Sequence, residues 1–499
     1  MRFSLVVLGL AFVLRLVAMH GVVLAPEEAY YWMYAQHPAL SYFDHPPMVA
    51  WVILAGTAVL GDTELGVRIL GNLLMCAASV LLYLYGRMWY GRQAGLIGAA
   101  ALLVLPVYFG AGLIATMDAP LMFFWTACLL GVSLALRTDR PAWWYLAGAA
   151  MGAAMLSKYT GVFLGVGALL AVMATPGYRR HLRTAHPYLA ALLALVLFAP
   201  VIAWNAQHDW ASFRFQSVGR FARGSFDIAD PLRFVGFQVM VATPVLLIGT
   251  ILLSARLLRS RRRLTAPRWW IPICFGLPLL AVMAYSSLRH TIHINWTLPA
   301  YLSLLPAVAH RAMIAARHAR LKRGRRVGLR SLAWTAAACT ILNVGLLGYL
   351  LAGQPRLWTI SAFGPWRELA LLVEEYEERL EAETGQEPLI IADGKYRLAS
   401  VLAFYRTPLE DRAPPAHFTS SQWLLKGSGL GYEYWFRPND WVGKPMVCVG
   451  HGPGLAGEIE GRFDRVEPID DPRLKSLGYE AALCYGYRGR VPGTRGTGP

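Results

Sequence analysis

Apolar stretches long enough, or nearly so, to cross a hydrocarbon core of about 30 Å recur from Leu5 to Leu351. We count about eleven. A chain built this way reads as mostly α, a polytopic membrane helical bundle, and the composition agrees: 56% of the 499 residues are hydrophobic and 15% are charged, against about 25% charged in a usual globular protein. A soluble enzyme is excluded as the default reading.

The formal charge of +17 would by itself suggest nucleic acid or an anionic surface as partner. Its distribution decides the matter. Residues 1–352 carry 30 basic and 10 acidic side chains, whereas residues 353–499 carry 17 basic and 20 acidic ones. The basic excess therefore lies among the apolar runs, where no nucleic-acid binder would place it. Arg2, Arg87/Arg92, Arg137/Arg140, Arg179/Arg180/Arg183, Arg256 to Arg268 and Arg311 to Arg330 fall in alternate gaps. By the positive-inside rule those gaps are cytoplasmic. An odd number of spans from a cytoplasmic N-terminus then places residues 353–499 outside. The first apolar run is also compatible with a signal peptide, but Arg15 interrupts it and Pro-Glu-Glu follows. Arg15 is costly at a helix centre, so it should snorkel or face a protein interior.

The division predicts two domains, residues 1–352 in the membrane and residues 353–499 as a small external α/β domain. In the latter, Trp366 to Glu383 has the 3-4 spacing of a helix. Residues 388–393 read as a strand, Leu398 to Tyr405 as a helix, and Met446 to Val449 and Ala482 to Tyr487 as strands. Gly427-Ser-Gly429-Leu-Gly431 reads as a turn, since no strand leads into it as a phosphate loop requires. The aromatic run Tyr432, Tyr434, Trp435, Phe436 and Trp441 suits core packing, with sugar stacking or membrane contact as alternatives. Cys76, Cys128, Cys274 and Cys339 look like packing residues. Cys448 and Cys484, an even pair in an external domain, leave a disulfide open.

Ionisable groups are costly near hydrocarbon, so where they cluster is informative. Four external places stand out: the loop from Ala25 to Pro47 with Glu27, Glu28, Tyr31, Asp44 and His45; Asp118; Lys158; and two loops carrying Arg214, Arg220, Arg223, Arg289 and His293. Carboxylates for general base catalysis beside cations for an anionic group suit transfer from a phosphate leaving group. Plainer readings stand beside each. Asp118, two residues before Pro120, could cap the next helix. Glu27 and Glu28 could start a helix after Pro26. Lys158 could snorkel to headgroups. His37 has no evident partner and reads as a surface residue.

Glu-Ala-Tyr-Tyr-Trp from Glu28, Tyr-Phe-Asp-His-Pro-Pro from Tyr42, Met-Asp-Ala-Pro-Leu from Met117 and Leu-Ser-Lys-Tyr-Thr-Gly from Leu156 together resemble bacterial membrane glycosyltransferases of the GT-C superfamily. These are relatives of the protein O-mannosyltransferases and the lipid A aminoarabinose transferase. The resemblance covers roughly residues 20–300. It implies an inverting enzyme of the bacterial inner membrane that moves a sugar from a polyprenyl-phosphate carrier to a lipid, glycan or protein acceptor on the periplasmic side. Carried over, Glu27 stands at the first-loop acid, Asp118 at the second acid, and Asp44-His45 at the acid-cation pair before the double proline. Two departures are visible. The first-loop pair is Glu27-Glu28 where Asp-Glu is common, which leaves open whether Glu27 or Asp118 is the base. Asp44-His45 stands where the aminoarabinose transferases have Glu-Lys, which argues for a different sugar or acceptor.

The candidate catalytic acids are thus Glu27, Glu28, Asp44 and Asp118. The candidate phosphate and substrate contacts are His45, Lys158, Tyr31, Arg214, Arg220, Arg289 and His293. No cofactor is expected and no metal site is assigned, although the acids could ligate a divalent cation. A polytopic transporter or a lipid-linked sugar flippase is the alternative. A transporter would place ionisable groups near the midplane and repeat one half of the chain in the other.

Overall fold

The computed structural model describes residues 2–219, 226–259, 266–318, 322–352, 363–409, 415–452 and 454–490. The chain forms two compact units. The first comprises residues 1–21, 45–52 and 68–355, and the second residues 22–44, 53–67 and 356–499.

The described secondary structure of the first unit consists of helices. Among the described residues of the chain, six helices are long and apolar enough to cross a membrane: Glu64–Tyr90, Asp118–Thr138, His186–Gln207, Ala229–Ala255, Pro267–Ser286 and Trp334–Leu351. The number reaches nine if each of three bent helix pairs is one span. That is fewer than the eleven apolar runs of the sequence. Runs such as Met48–Leu60, with 13 residues, and Ala142–Ser157, with 16, fall short of the ~20 residues a span needs. Prolines shape several of these helices. Arg92–Val104 meets Pro106–Leu113 at a 64° bend, where Pro106 starts the second helix. The long helix Ala229–Arg259 breaks at Thr243, whose φ of 56° precedes Pro244.

With no hydrophobic driving force between helices in lipid, close packing relies on small residues. A Cβ on Gly148 would come within 2.3 Å of the Ala190 carbonyl oxygen, and one on Gly86 within 2.7 Å of the Gly95 Cα. Either substitution would push two helices apart. Polar side chains lock other pairs: Trp125 Nε1 donates to Ser303 Oγ at 2.9 Å and Tyr108 Oη to the Leu298 carbonyl at 2.8 Å. Arg15 does not reach an aqueous boundary. It is fully buried, donates to the Tyr108 carbonyl at 3.2 Å and lies over the Phe109 ring, so of the two expectations for it the protein interior is the one observed.

The second unit carries a five-stranded mixed sheet. Strands β1 (Leu389–Ala392), β2 (Thr419–Ser421), β3 (Met446–His451), β4 (Phe463–Ile469) and β5 (Tyr479–Tyr487) run in the order β2-β1-β3-β5-β4. The β2-β1-β3 pairings are parallel and the β3-β5-β4 pairings antiparallel. The interior strand β1 is buried at all four positions, as expected of a strand covered on both faces. Three of these strands and the helices Trp366–Thr384 and Arg397–Arg406 match the elements expected from the sequence. The short β2 and the edge strand β4 do not, because Thr-Ser-Ser and Phe-Asp-Arg-Val-Glu-Pro-Ile carry too little apolar signal. Cys448 on β3 and Cys484 on β5 are buried thiols with sulfurs 3.5 Å apart. Tyr432 and Phe436 are buried, whereas Tyr434 stays 38% exposed.

This unit also incorporates the first loop. The helix Pro26–Gln36 places Trp32 edge-on to Phe404 of the helix Arg397–Arg406 with ring centroids 5.2 Å apart, and the Leu24 amide donates to Tyr405 Oη at 2.7 Å. The sheet unit is therefore assembled from three separate stretches of sequence.

Candidate active site

In the first unit the chemistry gathers around Asp118. This residue opens the helix Asp118–Thr138 and is 2% exposed. Its Oδ1 accepts from Lys158 Nζ at 2.9 Å, and its Oδ2 from Asn295 Nδ2 at 2.6 Å and Thr116 Oγ1 at 3.4 Å. The carboxylate is consumed by these partners and makes no cap to its own helix. Lys158 sits at the break between the helix Ala142–Ser157 and the 3-10 turn Tyr159–Val162. Its side chain is only 12% exposed, so it is held by a counterion instead of snorkelling. Asn295 arrives on the turn Ile294–Thr297, 177 residues away in sequence.

Chain segments adjoining the Lys158 and Asn295 turns carry further cations. Tyr159 Oη lies 2.6 Å from Ser212 Oγ, which ties the Lys158 turn to the short helix Ala211–Arg214. Arg214 at its end is exposed, as are Arg289 and His293; the His293 ring packs 5.4 Å from Trp296. His45 is half-buried. Arg220 and Arg223 lie outside the described residues.

In the second unit the first-loop acids occupy three different environments. Glu28 is fully buried, and its Oε2 accepts from the Ala25 amide at 2.9 Å, the backward half of a capping box at the start of the helix Pro26–Gln36. Asp44 is 5% exposed; its Oδ1 accepts from Tyr30 Oη at 3.1 Å and also from Tyr34 Oη. Burial first, and then the Asp44 charge, push both phenols well above their usual range, so they stay protonated donors. Glu27 is the open one. Its side chain is 38% exposed, and its Oε1 accepts from Tyr396 Oη at 3.3 Å and faces Arg397 at 3.4 Å. Tyr31 is buried among Tyr30 and Tyr34, with ring centroids at 5.9 and 5.7 Å.

His37 is not the unattached surface residue that the sequence suggests. It stacks on Trp435 at 4.7 Å and 11°, meets His417 edge-on at 4.7 Å, and sets its Nε2 3.3 Å from the Ala416 carbonyl. The partners come from the far C-terminal stretch, so no local pattern could disclose them. Asn295, Tyr396 and Arg397 escape sequence reading for the same reason, although Asn295 belongs to the loop already marked by Arg289 and His293. Among the described residues, no group of three or more His, Cys, Asp or Glu side chains is arranged to hold a metal ion.

Three comparisons bear on what this arrangement belongs to. Residues 44–204 match the family model of dolichyl-phosphate-mannose-protein mannosyltransferases. The lipid A galacturonosyltransferase RgtD of Rhizobium johnstonii is 25% identical over 279 residues, covering 56% of this chain and 58% of that protein. The undecaprenyl phosphate-α-4-amino-4-deoxy-L-arabinose arabinosyl transferase of Pseudomonas aeruginosa is 28% identical over 337 residues, covering 65% of this chain and 59% of that protein. The chain thus spans less than two thirds of the length of these curated relatives. Among solved structures, ArnT of Cupriavidus metallidurans bound to undecaprenyl phosphate aligns with a TM-score of 0.66 at 16% identity, covering 99% of both chains. The archaeal oligosaccharyltransferase AglB of Archaeoglobus fulgidus aligns at 0.51 and 11%, covering 81% of this chain and 63% of that one. These two likenesses show a shared fold. Apolar helices, a small C-terminal sheet and matches to mannosyl-, galacturonosyl- and arabinosyltransferases point one way: this multi-pass membrane protein shares the fold of ArnT and is similar over part of its length to membrane-linked sugar transferases.

Proposed function

We propose that the protein is an inverting glycosyltransferase that moves a sugar from an undecaprenyl-phosphate-type carrier to an acceptor outside the cytoplasmic membrane, with lipid A or another cell-surface glycan as the acceptor class. The observation that carries this reading is the Lys158 ammonium, largely withdrawn from solvent and held by Asp118. A cation kept in place before substrate arrives compensates a phosphate without reorganisation. Arg214, Arg289, His45 and His293 add the charge that a lipid phosphate and its flanking groups need, with Arg220 as a further candidate. A relative named as an undecaprenyl phosphate-α-4-amino-4-deoxy-L-arabinose arabinosyl transferase supports the donor class, and one named as a lipid A galacturonosyltransferase supports the acceptor class.

In the reaction an acceptor hydroxyl or amine attacks the anomeric carbon, the bond from that carbon to the phosphate oxygen breaks, and the polyprenyl phosphate departs with the electron pair. A carboxylate takes the acceptor proton. Of the two candidates, Glu27 fits this better. Asp118 has both oxygens engaged by Lys158, Asn295 and Thr116, whereas Glu27 is partly open to solvent. Asp118 then acts as the residue that positions Lys158, Glu28 as a helix cap, and Asp44 as the acceptor for two tyrosine hydroxyls. Tyr31 belongs to the aromatic wall of the Asp44 cluster.

For orientation we propose a cytoplasmic N-terminus in the bacterial inner membrane, a membrane domain over residues 1–352 and a periplasmic domain over residues 353–499. The alternate placement of basic gaps supports this.

The test is transfer of a labelled sugar from a polyprenyl-phosphate donor in liposomes by purified protein, with Glu27→Gln and Asp118→Asn in parallel. Turnover by the wild type and its loss in Glu27→Gln with donor binding intact supports the reading. Passage of the lipid-linked sugar across the bilayer without transfer would make the protein a flippase and overturn it.

A further inference from the structure

Within the first unit, the helices Asp118–Thr138, Ala142–Ser157, Phe163–Ala174 and His186–Gln207 surround a cavity of about 260 Å³. Its wall is almost wholly apolar, with Val132, Ala147, Met151, Leu169 and Val172 among the lining residues. Leu169 and Tyr188 in that wall are 51% and 59% exposed, so the cavity opens on the outer face of the helical bundle, which in a membrane is the lipid face. One polar feature breaks the wall. Trp144 lines the cavity at 5% exposure, and its indole N–H is buried without a hydrogen-bond partner. A buried donor left unpaired is costly, and a native structure retains one where a ligand or water completes it.

One end of the cavity is strongly basic. Leu182, part of the lining, belongs to the 3-10 segment Pro176–Arg183, which turns 118° off the helix before it. Such a turn lays the segment across the end of a span. It carries Arg179, Arg180 and Arg183 on the segment that holds Leu182, and the Arg180–Asp139 pair joins this segment to the end of the helix Asp118–Thr138, where Arg137 and Arg140 lie in sequence. Among the described residues, a single acid pairs with this segment. Asp139 pairs with Arg180 and lies 3.2 Å from His181. Arg179 Nε donates to the Met173 carbonyl at 2.9 Å, and Arg140 and Arg183 are exposed, with no acid within salt-bridge distance of either among the described residues.

We propose that this cavity is a binding site for an anionic glycerophospholipid: one acyl chain fills the apolar space, an ester carbonyl accepts from Trp144 Nε1, and the phosphodiester lies on Arg179 and Arg183. The occupant follows from the charge. A zwitterionic lipid or a bare hydrocarbon would fill the same volume but leave the arginines uncompensated, whereas basic pockets between spans select anionic headgroups. The site is separate from the sugar-transfer reading, because none of its residues belongs to the Asp118 or Glu27 clusters.

The test is native mass spectrometry of the full chain released from nanodiscs of phosphatidylglycerol and phosphatidylethanolamine in equal amounts. The wild type should retain one phosphatidylglycerol in preference to phosphatidylethanolamine. Arg183→Gln should lower that preference about fivefold, the effect of one cation near a membrane surface. Trp144→Phe, which keeps a ring and loses the N–H, should lower retention of both lipids about fivefold. Ala168→Phe, which fills the space, should abolish retention while the unfolding temperature holds. Equal retention of the two lipids by the wild type overturns the proposal. So does undiminished phosphatidylglycerol retention in Ala168→Phe, or exclusive retention of a polyprenyl chain.

Discussion

Asp118 Oδ1 accepts a hydrogen bond from Lys158 Nζ at 2.9 Å across 40 residues of sequence, with both side chains largely withdrawn from solvent. Breaking one partner of such a pair leaves an uncompensated charge, which costs more than the pair itself is worth. We expect Lys158→Met to destabilise the protein by roughly 3 kcal/mol. Asp118→Asn combined with Lys158→Met should restore much of that loss while leaving sugar transfer absent. Unfolding in detergent beside a transfer assay separates the two effects; additive losses in the double variant would show that the pair is not coupled.

Glu27 and Glu28 are adjacent in sequence but should respond differently. Glu27→Gln is expected to lower kcat by about 10²- to 10⁴-fold, the range for a general base, with little change in donor binding or unfolding temperature. Glu28→Ala removes the acceptor for the Ala25 amide and should cost about 1 kcal/mol of stability with a smaller effect on kcat. A larger loss of kcat in Glu28→Ala than in Glu27→Gln would reverse the two assignments.

His37 makes stability depend on pH. Burial first, and the neighbouring His417 second, bring its pKa down from 6.5 to about 4. The unfolded chain therefore binds the proton more readily. The stability contributed by neutral His37 is full above about pH 6.5 and is lost as pH falls through the window down to about 4. Unfolding temperatures measured from pH 7.5 to 4.5 should fall more steeply for the wild type than for His37→Gln. Parallel curves would mean that another group carries the dependence.

Arg406 is fully buried in the sheet unit, with Nε 2.8 Å from Glu374 and Nη2 2.9 Å from Glu377. Removing it strands two acids, one of them almost completely enclosed. Arg406→Met should destabilise this unit by about 3–5 kcal/mol, whereas Glu374→Gln, which keeps a hydrogen-bond acceptor, should cost less. Hydrogen exchange resolved to the strand Leu389–Ala392 would report the difference, and equal protection in both variants would contradict it.

How much of this was legible beforehand depends on the range of the interactions. Hydrophobicity over windows of about 20 residues marks membrane helices because the backbone must satisfy itself within each segment. The elements of the C-terminal sheet with strong apolar patterns, such as Leu-Ile-Ile-Ala at residues 389–392, were equally readable. Short motifs around Glu27, Asp44, Asp118 and Lys158 marked where ionisable groups collect. The partners of those groups were not readable. Asn295, Tyr34, Tyr396 and Arg397 carry no local signature that tells a site residue from an ordinary loop or helix residue.

The sequence by itself determined that this is a multi-pass helical membrane protein with a small C-terminal α/β domain, since both follow from local hydrophobicity and charge. Only the tertiary structure decided how enclosed each acid is and with what it pairs. Glu28, Asp44 and Asp118 are almost fully enclosed while Glu27, paired with Tyr396 and Arg397, keeps 38% of its side chain exposed, because burial and pairing depend on groups brought together from 2 to 369 residues away. The same long-range assembly turned His37 from an apparent surface residue into a packed one, and made the first loop part of the sheet unit, since packing energy depends on proximity in space and not along the chain.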